Sequence, residues 1–367
     1  MAERHLHSDL GMALNSTGRS DTARGAREWL PVLHLYREPD GFRSGLELAV
    51  TLVPFVLLWV AAWASLRWSY LISLAFATLA AGFLVRLFMI QHDCGHGALF
   101  ARRLTNDWIG RVISVLTLTP YDAWRHSHGI HHASSGNLDR RGIGDITTLT
   151  VAEYLERPWW GRLAYRLYRS PAVMFGLGPA FVFLLRNRWP LDGTLARWRS
   201  WVSPMATNFA IVLAAAAVAS LVGMRAFLLV HIPIVLIAAT IGVWLFYIQH
   251  QFEHTTWASD QAWNLHDAAL YGSSYYDLPA FLRWFTADIG VHHVHHLCSR
   301  IPFYRLPQAL RAHPDIARIG RITLRESLRC VRLTLWDETN RRLISFQELR
   351  TRAGSERRAD LPCNNGN

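Results

Sequence analysis

The sequence of 367 residues predicts an all-α integral membrane fold, with four transmembrane helices in two hairpins and a helical cap. Three observations support this fold class. Four apolar stretches are each close to the roughly 20 residues that cross a bilayer. Very short links join them in pairs, and the segments that follow each pair are mixed in polarity.

The four predicted spans are residues 46–66, 68–90, 206–223 and 226–248. Each short link favours two antiparallel neighbouring helices. Two further apolar stretches, 109–119 and 172–185, have only 11 and 14 residues. Because stretches of that length fall short of a bilayer, we interpret them as re-entrant, interfacial or buried.

The distribution of positive charge predicts which side of the membrane each segment occupies. The N-terminus carries no apolar signal-peptide core, so we expect it to be cytoplasmic, and each hairpin then returns the chain to the cytoplasm. The outer links hold only Arg67 and Arg225. The segments assigned to the inside are rich in arginine, as expected for cytoplasmic loops; they contain Arg102, Arg103, Arg140, Arg141, Arg162, Arg166, Arg169, Arg186, Arg188, Arg197 and Arg199.

The chain divides into three predicted regions. Residues 1–45 form a cytoplasmic N-terminal segment, residues 46–335 form the membrane domain, and residues 336–367 form a polar tail that we expect to be loosely ordered. The net charge of +11 comes from arginines that flank apolar runs, which favours anionic lipid headgroups over nucleic acid as the partner. Four cysteines without a CxxC pair argue against a disulfide framework and a zinc ribbon; they are Cys94, Cys298, Cys330 and Cys363.

Three short histidine boxes follow the predicted spans. Positions i and i+4, or i, i+3 and i+4, share one face of a helix, so the imidazoles of each box are predicted to point together. Two further histidines, His126 and His293, fall outside these spacings and are predicted not to be ligands. The members of the boxes are His92 and His96, then His128, His131 and His132, then His292, His295 and His296.

Eight clustered histidines predict a metal centre. Neutral imidazole suits Zn, Cu, Fe or Ni, and eight nitrogen ligands are too many for one tetrahedral zinc, so two metal ions with open positions are favoured. A metal transporter is the weaker alternative, because its ligands would lie within the spans. His231 lies within a span, 19 residues from His250 or about 28 Å along a helix, and is interpreted as structural. Arg86, near the end of the second span, is expected to snorkel to the headgroups.

The segments around the boxes resemble the integral-membrane fatty acid desaturases. The matching stretches are HDCGH, SHGIHHASSGNLDRRGIGD, FYIQHQFEHTTW and IGVHHVHHLCSRIPFYRL, and the resemblance covers roughly residues 45–335. They look most similar to bacterial acyl-lipid desaturases and more distantly to plant ω-6 (Δ12-like) enzymes.

The resemblance implies a di-iron site, O₂ as oxidant and a fatty acyl substrate, attached to a lipid, CoA or an acyl carrier protein. It implies that the eight box histidines ligate iron and that a ninth ligand follows the last span, at His250 with His254 as the competitor. The implied reaction inserts a cis double bond; a hydroxylase, acetylenase or ketolase is the alternative. No haem-binding motif is present, so electrons are expected from a separate ferredoxin or cytochrome b5. The expected location is a bacterial inner membrane, with the active site on the cytoplasmic face.

Other residues near the boxes are candidates for supporting roles. Carboxylates that could orient the imidazoles are Asp93, Asp139, Asp145, Glu253, Asp267 and Asp288, unless they are solvated charges or helix caps. Aromatic residues that could line an apolar substrate tunnel, or simply belong to the core, are Trp124, Trp244, Phe246, Tyr247 and Trp284. The pair Arg140 and Arg141 could meet a lipid phosphate or supply ordinary cytoplasmic charge.

Overall fold

The computed structural model of the protein describes residues 25–190 and 198–359. Most of the predicted N-terminal segment, together with Arg197 and Cys363, lies outside the described residues. The described part is mainly helical, as the sequence predicts, and also contains short strands.

Helices account for most of the described chain. In chain order they are α1 (Leu30–Leu33), α2 (Gly41–Ser65), α3 (Tyr70–His96), α4 (Arg103–Leu116), α5 (Tyr121–Ser134), α6 (Val151–Glu156), α7 (Trp159–Tyr168), α8 (Gly178–Ala180), α9 (Trp198–Val222), α10 (Met224–His250), α11 (Leu265–Tyr271), α12 (Ala280–Phe285), α13 (His292–Leu297), α14 (Leu306–Ala312), α15 (Leu324–Cys330) and α16 (Phe346–Ala359). Short 3₁₀ and π-helical turns flank several of them, and π-helical turns on either side of α8 make residues 173–185 one helical segment.

Four of these helices are long and apolar enough to cross a membrane, and they confirm the four predicted spans: α2, α3, α9 and α10. α2 and α3 form the first hairpin, and Ser69 caps α3 by accepting a hydrogen bond from the N–H of Leu71. Gly223, with φ of +87°, makes the one-residue turn between α9 and α10. α3 ends one helical turn after His92, at Gly97 in the left-handed conformation. α10 ends at His250.

The two shorter apolar stretches do not form long straight helices. The first lies in α4 and the turn that follows it. The second lies in the segment 173–188, which meets α7 at an angle of 55°. By length and composition, that bent pair could also be a broken span or a re-entrant segment.

The predicted cap contains small sheets as well as helices. β1 (Leu149–Thr150) pairs in parallel with β4 (Leu335–Asp337), which pairs antiparallel with β5 (Arg342–Ile344). β2 (Tyr275–Asp277) pairs in parallel with β3 (Arg321–Thr323). The pairing of β1 with β4 joins the C-terminal segment to a strand that lies before α9.

The C-terminal segment differs from the loosely ordered tail that we expected. Its described part forms β4, β5 and α16, and Leu335, Trp336, Leu343 and Ile344 are all buried. Ile344 and Leu335 pack with Tyr154 and Tyr165 in a small core of their own. The expectation was wrong because a few apolar residues of this polar segment pack against residues nearly 200 positions earlier in the chain.

Arg86 also differs from its predicted position at the headgroups. It is 2% exposed and forms a buried ion pair with Glu47 of α2. Its Nε donates a hydrogen bond to Thr51 Oγ1 over 3.1 Å, and its guanidinium lies 4.2 Å from the ring centroid of Trp284. A buried partner on the neighbouring helix removes the need to snorkel.

Candidate metal centre

Four elements carry the clustered histidines to one place. The first box lies in the last turn of α3, the second box in α5 and the third box in α13. His250 is the last residue of α10. Since α3 packs against both α10 and α5, the ends of the two hairpins and the two shorter helices meet at one end of the long helices. Helices that extend past the predicted spans therefore position the imidazoles on a rigid frame.

The histidines form two groups, each of which could hold a metal ion. In each group one nitrogen from every imidazole lies within 4.8 Å of the others. The first group is His92, His96, His128, His132 and His295, and the second group is His131, His250, His292 and His296. The groups adjoin, because the rings of His132 and His296 stack with centroids 4.0 Å apart.

The spacing of the ring nitrogens fits coordination to a metal. In the first group, Nε2 of His128 lies 3.1 Å from Nε2 of both His96 and His132. In the second group, Nε2 of His250 lies 3.1 Å from Nε2 of both His131 and His292. Neighbouring ligands on a metal at about 2.1 Å are separated by about 3.0 to 3.4 Å for right-angle to tetrahedral geometry. The donor set therefore matches a metal centre in both type and spacing.

Two of the predicted carboxylates orient imidazoles. His131 Nδ1–H donates to Asp145 Oδ1 over 2.5 Å, and His92 Nδ1–H donates to Asp93 Oδ1 over 3.1 Å. A carboxylate only accepts, so the proton stays on Nδ1 and Nε2 keeps its lone pair for a metal. Asp93 is itself fixed by the backbone N–H of Phe303, which donates to its second oxygen over 2.7 Å.

His250 is supported by groups that sequence reasoning did not identify. Its Nδ1 lies 3.4 Å from both the carbonyl oxygen of Gly272 and Oγ of Ser135. Ser135 lies three residues after the second box, and this proximity was a possible signal, whereas nothing in the sequence indicated the carbonyl group of Gly272. His254, the competitor, is exposed and lies in neither histidine group.

The other predicted carboxylates do not reach the histidines. Glu253 is exposed, and Asp288 forms an ion pair with Arg283 over 2.9 Å. Asp139 accepts a hydrogen bond from the N–H of Asp260, and Asp267 lies in the first turn of the short helix α11. Asp288 lies in the turn between α12 and α13, with φ of +50°, four residues before His292.

The two histidines outside the spacings take no part in either group. His126 is exposed on α5. His293 is buried and its Nε2–H donates to the carbonyl oxygen of Ile316 over 2.9 Å, which makes it a structural residue. Burial lowers the pKa of His293 to about 4.

Burial and mutual repulsion keep five histidines of the second and third boxes neutral at pH 7. For His128, His132 and His295 burial lowers the pKa well below its usual value, and the neighbouring imidazoles lower it further. The pKa values of His292 and His296 shift in the same direction for the same reasons. Neutral imidazole is the form that ligates metals.

An apolar cavity of about 270 Å³ ends at the histidines. Its polar lining residues are His92, His128 and His292, with Thr117, Thr119, Ser127, Asn187 and Gln249. Most of the wall belongs to α3, α10 and the segment around Phe183, and its apolar residues include Leu84, Val85, Phe88, Met89, Val182, Phe183, Val235, Ala238, Ala239, Gly242, Val243, Leu245 and Phe246. The cavity can therefore hold a hydrocarbon chain with one part against the ring nitrogens.

Two of the five aromatic residues predicted for a tunnel line this cavity, namely Trp124 and Phe246. The Trp124 ring also stacks on His128, with centroids 4.6 Å apart. Trp244 contacts Phe175, and Tyr247 is buried at 2% exposure. These two residues lie outside the cavity wall, as does Trp284, which is 38% exposed.

Arg140 and Arg141 serve the protein itself. Arg140 pairs with Asp260 over 2.8 Å, and Arg141 pairs with Glu153 over 2.5 Å and also donates to the carbonyl oxygen of Thr148. Their side chains hold the loop after α5 against α6 and the loop before α11.

The fold and the site define a class: a mainly helical protein with four candidate membrane helices and a histidine-rich centre that could hold metal ions. Residues 67–327 match the family described as fatty acid desaturase, and the chain belongs to that family of oxidoreductases. A "Fatty acid desaturase" of Bacillus subtilis is 47% identical over 315 residues, covering 86% of this chain and 89% of that protein.

More distant relatives carry more specific names. An "sn-1 acyl-lipid omega-3 desaturase (ferredoxin)" of Synechocystis sp. is 28% identical, over 62% of this chain and 63% of that protein. An "sn-1 oleoyl-lipid 12-desaturase" of Anabaena variabilis is 25% identical, over 61% of this chain and 63% of that protein. The family resemblance inferred from the histidine boxes is thus confirmed.

Proposed function

We propose that the protein introduces a cis double bond into the acyl chain of a membrane lipid in an O₂-dependent reaction. The observation that carries this proposal is the apolar cavity that ends on two groups of histidines. The family and the acyl-lipid desaturases among the relatives support the substrate class. Hydroxylation, acetylenic-bond or ketone formation and metal transport are not favoured, because the relatives named above are desaturases.

The ligand assignment follows the two groups. We propose that the first group holds one iron ion and the second group another, with His250 and not His254 completing the second set. Iron bound there supplies the O₂-dependent oxidation of an unactivated C–H bond, which acid–base groups cannot achieve. The protein's own part is to present neutral ring nitrogens, which Asp93 and Asp145 hold in one tautomer and orientation.

The cavity has three tasks in this reaction. Its apolar wall replaces water around the acyl chain, so that burial of the chain supplies binding energy of about 0.8 kcal/mol per methylene. The rings of Trp124 and Phe246 confine the chain beside the histidines. Exclusion of water also protects the oxidising site from side reactions. We propose a lipid-linked chain; acyl-CoA and acyl carrier protein are the alternatives to test.

A separate protein is proposed to deliver the electrons. One relative's name includes ferredoxin, which supports a carrier of that type, with cytochrome b5 as the alternative. We further propose that α2, α3, α9 and α10 cross a bacterial inner membrane and that the histidines lie on its cytoplasmic face. The arginine-rich segments between and after the hairpins support that orientation.

The proposed regions of the chain are a cytoplasmic segment (residues 1–45), the desaturase domain (46–335) and a C-terminal segment (336–367). The family match lies entirely within the second of these. The C-terminal segment packs against the desaturase domain through β4 and α16, so it acts as part of the cap.

Expression in a host that makes only saturated and monounsaturated lipids tests the function. Gas chromatography of the fatty acid esters should show a new unsaturated acid for the wild type and none for His128→Ala or His295→Ala. His126→Ala is the matched control, since His126 lies on the same helix as His128 but is exposed and outside both groups. A hydroxy acid as the new product, or full activity of the ligand variants, contradicts the proposal. Stoichiometric zinc in place of iron in the purified protein contradicts it as well.

A further inference from the structure

We propose that a groove between α7 and the C-terminal segment binds the phosphate of an anionic membrane lipid. The groove has a volume of about 680 Å³. Its wall combines apolar side chains such as Leu155 and Leu163 with the guanidinium groups of Arg162, Arg166 and Arg350. The wall also contains the ion pair between Asp337 and Arg352. None of its lining residues belongs to either histidine group. The inference rests on the proposed membrane placement and not on the proposed reaction.

Three of the four arginines that line the groove carry a charge that no described carboxylate neutralises. Within residues 25–190 and 198–352, no carboxylate lies at ion-pair distance from Arg162, Arg166 or Arg350, whereas Arg352 is held by Asp337 and Glu348. Arg166 donates to the hydroxyl of Tyr154 over 2.6 Å. Several guanidinium groups along one groove repel each other unless an anion lies between them, and phosphate matches their bidentate geometry.

A second groove extends the same basic surface. It has a volume of about 310 Å³ and shares Arg166 and Arg350 with the first groove. It adds Arg332 and reaches Ser170 and Pro171, which directly precede the bent apolar segment 173–188. The basic surface therefore ends where the apolar segment begins, which is the order of charge and apolar surface that a lipid headgroup and its acyl chains require.

The exposed face of α7 is unusually apolar. The exposed fractions are 71% for Trp159, 63% for Trp160, 48% for Leu163 and 56% for Leu167. Apolar side chains that stay exposed to water do not stabilise a helix. Tryptophan, leucine and arginine on one short helix are instead typical of helices that lie in the membrane interface.

The histidine groups fix the side of the membrane on which α7 lies. His132 and His250 sit in adjoining groups, so the chain between them crosses the membrane an even number of times. α9 and α10 already supply two crossings. The bent pair formed by α7 and residues 173–188 is therefore not a fifth span, and it lies in the leaflet on the histidine side. This placement brings the basic groove to the level of the lipid headgroups. It therefore favours a lipid, and not an acidic electron-transfer protein, as the ligand of the groove.

Native mass spectrometry of the full-length protein in detergent tests the groove, with dioctanoyl phosphatidylglycerol as the probe and dioctanoyl phosphatidylcholine as the neutral comparison. The double variant Arg162→Gln/Arg350→Gln should weaken binding of the anionic lipid by about 25-fold, at about fivefold for each arginine near a lipid phosphate. The control is Arg300→Gln/Arg318→Gln, which removes the same charge from two exposed arginines elsewhere in the cap and should leave the affinity unchanged.

Three results overturn the inference. Equal weakening by both double variants shows that only net charge matters. Displacement of the lipid by an equal concentration of inorganic phosphate shows a site for free phosphate. Unchanged lipid binding in Arg162→Gln/Arg350→Gln, together with slower electron delivery from an acidic ferredoxin in phosphatidylcholine nanodiscs, shows a protein-docking surface. Desaturation is measured separately on the same samples, so loss of product with intact lipid binding counts against the proposed function alone.

Discussion

The pairing of Asp145 with His131 gives a sharp test of the metal centre. Both side chains are nearly buried, at 8% and 1% exposure. Asp145→Asn keeps the size of the side chain and can still accept from His131 Nδ1–H through Oδ1. The substitution therefore removes the negative charge that makes the imidazole a stronger ligand.

The expected magnitude follows from two effects. Loss of a carboxylate behind a ligating histidine lowers metal affinity by roughly 10- to 100-fold, which is about 1.4 to 2.7 kcal/mol. The second oxygen of Asp145 is buried and has no hydrogen-bond partner among the described residues. The amide group placed there is an unsatisfied donor, which costs about 1 to 3 kcal/mol of folding stability.

The assay is iron retention during titration with a chelator, measured by elemental analysis of the purified protein, with the melting temperature as a separate readout. Asp139→Asn is the matched control, because Asp139 lies in the same loop but is exposed and accepts only from the N–H of Asp260. If Asp145→Asn holds iron as tightly as Asp139→Asn does, the carboxylate does not support His131 as a ligand and the assignment of the second group is wrong.

Three further predictions follow from the same structure. The metal-free protein should lose stability as the pH falls from about 6.5 towards 4. Burial lowers the pKa of His293 to about 4 in the folded state, so in this range the unfolded state binds a proton that the folded state does not. A melting temperature that does not change over this range contradicts the prediction. Gly242→Leu should reduce the amount of the normal product by roughly 10-fold or more, because a side chain at Gly242 would enter open space in the cavity wall. Gly45→Leu on α2, where the space is equally open, is the control and should leave the amount of product unchanged. Arg86→Met should destabilise the protein by about 3 kcal/mol, the lower end of the range for a broken buried ion pair, because Glu47 then keeps only the half-exposed Arg43 as a partner. Arg86→Met/Glu47→Leu should recover most of that loss in thermal unfolding, and failure to recover shows that the pair does not act alone.

Several features could be predicted from local sequence. Span lengths depend on the number of consecutive apolar residues, and hairpins on the length of the link, so α2, α3, α9 and α10 were predicted to within a few residues at most ends. The continuation of α3 through His92 and His96 was predicted as well, because nothing between Tyr70 and Gly97 breaks a helix.

Contacts between distant residues could not be predicted in this way. The ion pair between Arg86 and Glu47 joins residues 39 positions apart, and β4 pairs with a strand that lies almost 200 residues earlier. Neither partner carries a local signal, because what decides the contact is the packing of α2 on α3 and of the C-terminal segment on the cap. For the same reason the sequence suggested six carboxylates near the boxes, whereas only Asp93 and Asp145 reach an imidazole.

The sequence by itself determined which histidines cluster, because i, i+3 and i+4 spacing on a helix is a local property. Only the tertiary structure decided how they divide. Each of the two later boxes is shared: His128 and His132 join the first group while His131 joins the second, and His295 joins the first while His292 and His296 join the second. A helix passing between two centres presents neighbouring side chains to either side, and the position of that helix is set by the packing of α3, α5, α10 and α13.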